Sequence, residues 1–188
     1  MATPLSPQPD SLPLERGALY VVLFHLPSLY PPKYHWALGL ITSTGTVFSY
    51  HAIDEALRRG SGSQNWIFER RSEGAWYQTR TRHVALKIGK FVGHESVLSS
   101  LLATIPLVVV PQDRLQEAQF GCRLWVRYAV SLLAARRVIQ FRGRYTAVDL
   151  EVECDQVGGQ YHERLRPGLR LWDVSWPLFV TDSGFVIL

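Results

Sequence analysis

Tyr34-His35-Trp36-Ala37-Leu38-Gly39-Leu40-Ile41-Thr42, the turn Ser43-Thr44-Gly45, and Thr46-Val47-Phe48-Ser49-Tyr50-His51-Ala52-Ile53 form the stretch whose reading decides the fold. Two aliphatic and aromatic runs of strand length, joined by a short glycine-containing turn, read as a β-hairpin. Side chains alternate faces along a strand, so His35, Ala37 and Gly39 share one face, while Tyr34, Trp36, Leu38 and Leu40 share the other. On the second strand Val47, Ser49 and His51 share a face, which lets a second imidazole lie beside the first. The small residues beside His35 leave room for a helix over Ala37 and Gly39, with the residue at its tip in reach of His35.

Outward from the hairpin, Ala18–Leu26 is an apolar run closed by Pro27 and the turn Pro31-Pro32, and it is expected to be the first, central strand. Asp54–Ser63 is polar and ends in Gly60-Ser61-Gly62-Ser63, the composition of a mobile loop. Trp66–Arg71, a turn at Glu73-Gly74 and Ala75–Thr79 suggest a second, solvated hairpin, and Thr81–Ile88 a further strand. Helical spacing then takes over. Val97, Leu98, Leu101 and Leu102 mark a helix within His94–Ile105 that Pro106 stops, and a second helix is expected from about Gln119 to Arg137. Strands first and helices after is the α+β class.

Residues 1–16 carry Pro4, Pro7, Pro9 and Pro13 and are expected to be a disordered tail, with residues 17–188 as a single domain. Within it the stretch 145–188 stays open: Asp149–Arg166 fits a helix weakened by Gly158-Gly159, and the last twenty residues are aromatic and irregular. Of the 188 residues 47% are apolar and 19% charged, which excludes a disordered chain. Two cysteines make no disulfide framework and Met1–Leu5 lacks a secretory pattern, so the expected setting is reducing and cytoplasmic. Asp173, Pro177 and Asp182 cut the C-terminal apolar run, so no membrane span is expected, while peripheral contact stays open. The net charge of +4 is mild, and Arg136, Arg137, Arg142 and Arg144 suit the negative end of the second helix. No nucleic-acid-binding motif accompanies them, so nucleic acid is not an expected partner.

The second helix opens on Phe120-Gly121-Cys122-Arg123, a cysteine where a glycine loop gives way to Trp125, Val126, Ala129, Val130 and Leu133 at helical spacing. Free N–H groups and the helix dipole at that point favour thiolate, the form that attacks a carbonyl carbon. Taken alone, such a cysteine is more often a small core residue. A cysteine with one histidine as base and a second polar group orienting that histidine is the generalised triad, and His35 and His51 supply the two groups. Cys154 lies between Glu153 and Asp155, whose charges raise a thiol pKa and set it aside as nucleophile. The cysteines lack the close Cys/His pairing of zinc sites, and no cofactor is implied. His25, His83, His94 and His162 show no comparable arrangement.

His35-Trp36-Ala37-Leu38, a short glycine turn, a strand ending in His51 and a distant Cys122 opening a helix together resemble the lecithin retinol acyltransferase-like proteins. The closest pattern is that of the phospholipase A and acyltransferase family within the NlpC-type papain superfamily, in circularly permuted order. The resemblance covers residues 18 to 137. It implies a permuted papain-like fold, an antiparallel sheet packed on a buried helix that starts at the cysteine. It also implies Cys122 as nucleophile, His35 as general base and His51 as the residue that orients the base. The chain differs from the family at Gly121, where asparagine is usual, and at Arg123, where a polar or acidic residue is usual. The implied activity is acyl transfer or hydrolysis of an ester or amide through a Cys122 thioester, on a small-molecule acyl or amide substrate. A peptidase or isopeptidase of the same fold, and a non-enzymatic binding protein that keeps the fold, are the alternatives.

Overall fold

The computed structural model describes residues 12–26, 33–56, 60, 64–73, 82–165 and 178–187. Its strands are β1 (Ala18–Leu26), β2 (Lys33–Ile41), β3 (Val47–Asp54), β4 (Trp66–Glu73), β5 (Arg82–Lys90), β6 (Gln140–Phe141), β7 (Phe179–Asp182) and β8 (Val186–Ile187). The helices are α1 (Glu95–Leu102), α2 (Cys122–Ala135) and α3 (Ala147–Leu165). Six strands form one sheet in the order β4-β3-β2-β1-β5-β7, and β6 pairs with β8 separately. The class is α+β, as the order of strands and helices leads one to expect. The sheet is mixed rather than wholly antiparallel, because β7 adds to β5 in parallel with Val84 opposite Phe179.

The hairpin forms because its sequence satisfies both faces and its turn. Gly45 has φ of 90°, a conformation that glycine adopts without steric cost, and its N–H donates to the carbonyl of Thr42 at 2.9 Å. β1 lies centrally between β2 and β5 and is almost entirely buried from Ala18 to Leu23. The intended partner of β4 in a second hairpin, Ala75–Thr79, lies outside the described residues, as do the Pro31-Pro32 turn and most of the loop 54–63. β4 instead pairs along its whole length with β3.

These three helices contribute to the core on one face of the sheet. Leu19, Val21 and Leu23 of β1, Trp36, Leu38 and Leu40 of β2 and Tyr50 of β3 pack there with Leu98 and Leu102 of α1, Trp125, Ala129, Val130 and Leu133 of α2, and Leu150 and Tyr161 of α3. This corrects the expectation that α2 covers Ala37 and Gly39. Those two small residues face the opposite side, across from Val22 and Tyr20 of β1, and the helix goes where the larger apolar area is, since burial free energy scales with area. α3 runs unbroken through Gly158-Gly159. Gly158 allows the helix to lie close to the sheet, for a Cβ there would stand 3.0 Å from Leu23 Cδ1 and from Tyr34 Cε2.

The other face buries Ala18, Tyr20, Val22, Ile41, Val47, Ala85 and Val180, with Leu14 and Leu178 packed over them. Residues 12–16, expected to be part of the disordered tail, are instead tied to the sheet. Leu12 N–H donates to the carbonyl of Val180 at 2.8 Å, Glu15 N–H to the Tyr20 hydroxyl at 2.8 Å, and Glu15 pairs with Lys87 at 2.6 Å. Lys87 is buried on β5, and the nearer of its two carboxylates is that of Glu15, with Asp182 at 3.7 Å. Removing the partner of a buried charge costs about 3–5 kcal/mol, and because the Glu15 side chain is 40% exposed the expected loss in Glu15→Ala is smaller, about 1–2 kcal/mol. A urea-denaturation midpoint checks this, and Glu15→Ala/Lys87→Met should recover most of the loss. An unchanged midpoint in the single variant would mean that residues 12–16 add nothing to stability.

Candidate functional site

The pairing of β2 with β3 stops at Leu38 opposite Tyr50, although β2 continues against β1 and β3 continues against β4. His35 and Trp36 on one strand, and His51 and Ala52 on the other, lie beyond the last pair. Across this opening His35 Nε2 meets His51 Nδ1 at 2.8 Å, with ring centroids 4.9 Å apart in an edge-to-face arrangement. His51 Nε2 in turn meets Glu69 Oε2 at 2.9 Å. β4 places Glu69 directly opposite His51, and the same carboxylate oxygen accepts from Arg71 Nε at 2.7 Å. His35, His51, Glu69 and Arg71 thus form one continuous polar row over three strands.

Cys122 is the first residue of α2. Gly121 before it is extended and gives no side-chain cap, and the first helical bond runs from Trp125 N–H to the carbonyl of Gly121 at 3.0 Å. N–H groups ahead of that bond have no partner within the helix. Those of Cys122 and Arg123, and the N–H of Trp36, lie near enough to the Cys122 sulfur to favour its thiolate. That last N–H belongs to the peptide joining His35 to Trp36. The thiol and the His35 imidazole therefore flank one peptide unit, at the point where the sheet opens. The structure brings His35 and His51 into contact, whereas Cys122 approaches the same strand from the Trp36 face, on the side of the sheet that α2 covers.

Burial dominates the electrostatics. It pushes the Cys122 thiol above its ordinary value, outweighing the three N–H groups and the Arg123 charge that pull it down. The helix terminus acts in the expected direction and is overruled. Arg123 acts weakly because its guanidinium is taken by Glu151 at 3.0 Å and Glu117 at 3.2 Å. Burial, followed by the charges of His51 and Arg71, lowers His35 to about 4, with Glu69 opposing. His51 is also held below the usual imidazole value by burial, against its hydrogen bond to Glu69. For Glu69 burial acts upward, yet the hydrogen bonds and charges of Arg71 and His51 bring it below the usual carboxylate value. At neutral pH the row holds two neutral imidazoles and a carboxylate, and the Cys122 thiol is neutral.

Glu69 and Arg71 were not among the residues the sequence singled out. Their one signal is register: on a strand paired with β3, two charged residues at alternate positions face the same side as His51 and Ser49. Cys154 is fully buried, and burial, ahead of Glu153 and Asp155, raises its thiol well above the ordinary value. His162 of α3 lies against His25 of β1 with ring centroids 5.0 Å apart, a pairing invisible in the sequence. His94 caps α1, accepting the N–H of Ser96 at 3.3 Å. Trp36 and Trp125 are core residues, and Trp76 and Tyr77 lie outside the described residues. A cavity of about 590 Å³ lined by Arg16, Leu40, Phe48, Lys90 and Phe91 sits at the far end of β2, about 16 Å along the strand from His35. Among the described residues no cluster of three or more His, Cys, Asp or Glu side chains is arranged for a metal ion, and no helix is long and apolar enough to cross a membrane.

Residues 16–151 match the model of a family of unknown function, DUF6914, and the chain belongs to that family. The matched span contains Cys122, His35, His51, Glu69 and Arg71. No curated protein and no solved structure matches the chain.

Proposed function

We propose that this member of DUF6914 is a cysteine-dependent acyl-transfer enzyme with a permuted papain-like arrangement, acting on an ester or amide of a small molecule. The observation that carries this reading is the hydrogen-bonded row from His35 through His51 to Glu69, on the strand whose next residue, Trp36, has its N–H near a cysteine at a helix N-terminus. A buried polar chain of this kind is costly unless every member is partnered, and in this reading His35 Nδ1 is the nitrogen that serves the thiol. As His35 Nδ1 takes the S–H proton, the Cys122 sulfur attacks the carbonyl carbon and an S–C bond forms. The bond to the leaving oxygen or nitrogen then breaks, and His35 returns the proton to it. Water, or an acceptor hydroxyl or amine, gives a proton to His35 and attacks the thioester, and the sulfur leaves with that proton restored. In this reading the N–H groups at the start of α2 stabilise the oxyanion, that of Cys122 first among them.

His51 holds the base in orientation and shares the charge that develops on it. The raised thiol makes a non-enzymatic binding protein the rival reading, since a neutral buried thiol with no acyl donor is simply a core side chain. Intact-mass spectrometry after incubation with acyl esters, thioesters and peptide amides separates the two. The expected result is an adduct that maps to Cys122 and is absent in Cys122→Ser. Adducts only on surface lysines, or none across the panel, would favour the binding protein. The class of donor that loads distinguishes a lipid-type acyltransferase from a peptidase or isopeptidase.

A further inference from the structure

The hydrogen bond between His35 and His51 can run in either direction, because each ring nitrogen can donate or accept. Only one direction leaves His35 able to act. If His51 donates, His35 Nε2 carries the lone pair and its Nδ1 carries a hydrogen, so the nitrogen left for the thiol has no lone pair to offer. We infer that Glu69 fixes the direction, setting the tautomers of both imidazoles so that the lone pair of His35 Nδ1 is free for the thiol. It is a positioning residue two hydrogen bonds from the reacting atoms, and its role rests on the acyl-transfer reading.

An ionised carboxylate is an acceptor only. At the 2.9 Å contact with Glu69, His51 Nε2 must therefore carry the hydrogen. A neutral His51 then has its lone pair on Nδ1 and accepts from His35 Nε2–H at 2.8 Å. A neutral His35 with a hydrogen on Nε2 has its lone pair on Nδ1. Every step follows from the one before, and the first depends on Glu69 being ionised. Arg71 supplies that condition, donating to the same Oε2 at 2.7 Å. When His35 takes the thiol proton it becomes a donor at both nitrogens, which the row already accommodates, so charge develops without reorganising the hydrogen bonds.

Selective ¹⁵N-histidine labelling and long-range ¹H–¹⁵N correlation spectra read the tautomers directly. In the wild-type protein at neutral pH, both His35 and His51 are expected as single Nε2–H forms. An Nδ1–H form of either would overturn the inference, whether or not any variant folds. In Glu69→Ala both tautomers of His35 are expected to appear, and acylation of Cys122 should fall on the order of 100-fold. That is less than the roughly 10⁴-fold cost of a wrongly fixed tautomer in the serine protease triad, because here both forms become populated and neither is locked. Alkylation of Cys122 by iodoacetamide above pH 10, where no base is needed, should stay within about twofold of wild type, as a collapsed site would not allow. An unchanged His35 tautomer with an unchanged acylation rate in Glu69→Ala sinks the inference and leaves the acyl-transfer reading standing. Tautomers as stated, with no donor ever loading Cys122, have the opposite meaning.

Discussion

In His35→Ala, acylation of Cys122 at pH 7 is expected to fall by roughly 10³-fold, within the 10²–10⁴ that a positioned general base contributes. The reason lies in the resting charge state. A thiolate–imidazolium pair would already hold the nucleophile in its reactive form, but burial raises the Cys122 thiol and lowers His35 to about 4. The proton must therefore move during attack, and without His35 only the small thiolate fraction reacts. The pH dependence has a definite sign on each limb. His35 accepts a proton only when neutral, so wild-type acylation should persist down to about pH 4 and be lost as pH falls through that value. Simple alkylation depends on thiolate alone and should keep rising with pH above the ordinary thiol value of about 8.5, in wild type and His35→Ala alike. Stopped-flow acylation and iodoacetamide rates across pH 4–11 check both limbs. An alkylation plateau near pH 6–7 that His35→Ala abolishes would mean an ion pair at rest and would overturn this account.

Thermal stability is expected to drop on mild acidification, by roughly 5 °C in Tm between pH 7 and pH 5. His25, His35 and His51 are all held below the usual imidazole value of 6.5, each chiefly by burial. The unfolded chain takes up protons near that value, whereas folded His35 refuses one until about 4. Between the two the unfolded state binds more protons, so stability rises with pH through this window and is lost as pH falls. Taken to its lower end, His35 alone accounts for on the order of 3 kcal/mol. Glu15, Glu69 and Glu95, held below their usual value, withdraw further stability at lower pH. Glu151 and Asp155, raised by burial, act in the opposite sense. Differential scanning fluorimetry from pH 7.5 to 4.5 measures the slope. His35→Gln should flatten it, and an identical slope in that variant would remove His35 as the cause.

Much of this architecture was legible because the pattern and the physics agree. Alternation in Tyr34–Ile53 places His35 and His51 on one face, and the 3.6-residue spacing after Cys122 makes the cysteine the first residue of a buried helix. The position of α2 differs from the expected one for a definable reason: Ala37 and Gly39 offer closeness, but Trp36, Leu38, Leu40 and Tyr50 offer area, and area decides the packing. Glu69 escaped notice because Glu69-Arg70-Arg71 looks like a solvated strand. Only the register of β4 against β3 turns the first and last of these residues toward the imidazole row, while Arg70 goes to Glu95 at 2.6 Å on the other side. α3 stays open in the sequence because two glycines weaken a helix by about 1 kcal/mol each, and the close approach of Gly158 to Leu23 and Tyr34 that favours one of them is a tertiary fact. β7 has four residues and a parallel partner far away in sequence, which no local pattern announces.

That edge strand imposes an order on the making of the protein. β7 pairs with β5 only after the chain has closed a loop from Val84 to Phe179, a slow and entropically costly event compared with zipping the β2–β3 hairpin. Leu12 bonds to Val180, so its landing place does not exist until β7 is seated, whereas Glu15 can already reach Tyr20 and Lys87. During vectorial synthesis Leu12 emerges early, yet it is fastened only once β7 is in place. Until then Tyr20, Val22 and Ala85 stay uncovered, and a nascent chain stalled before residue 179 would present that patch to chaperones.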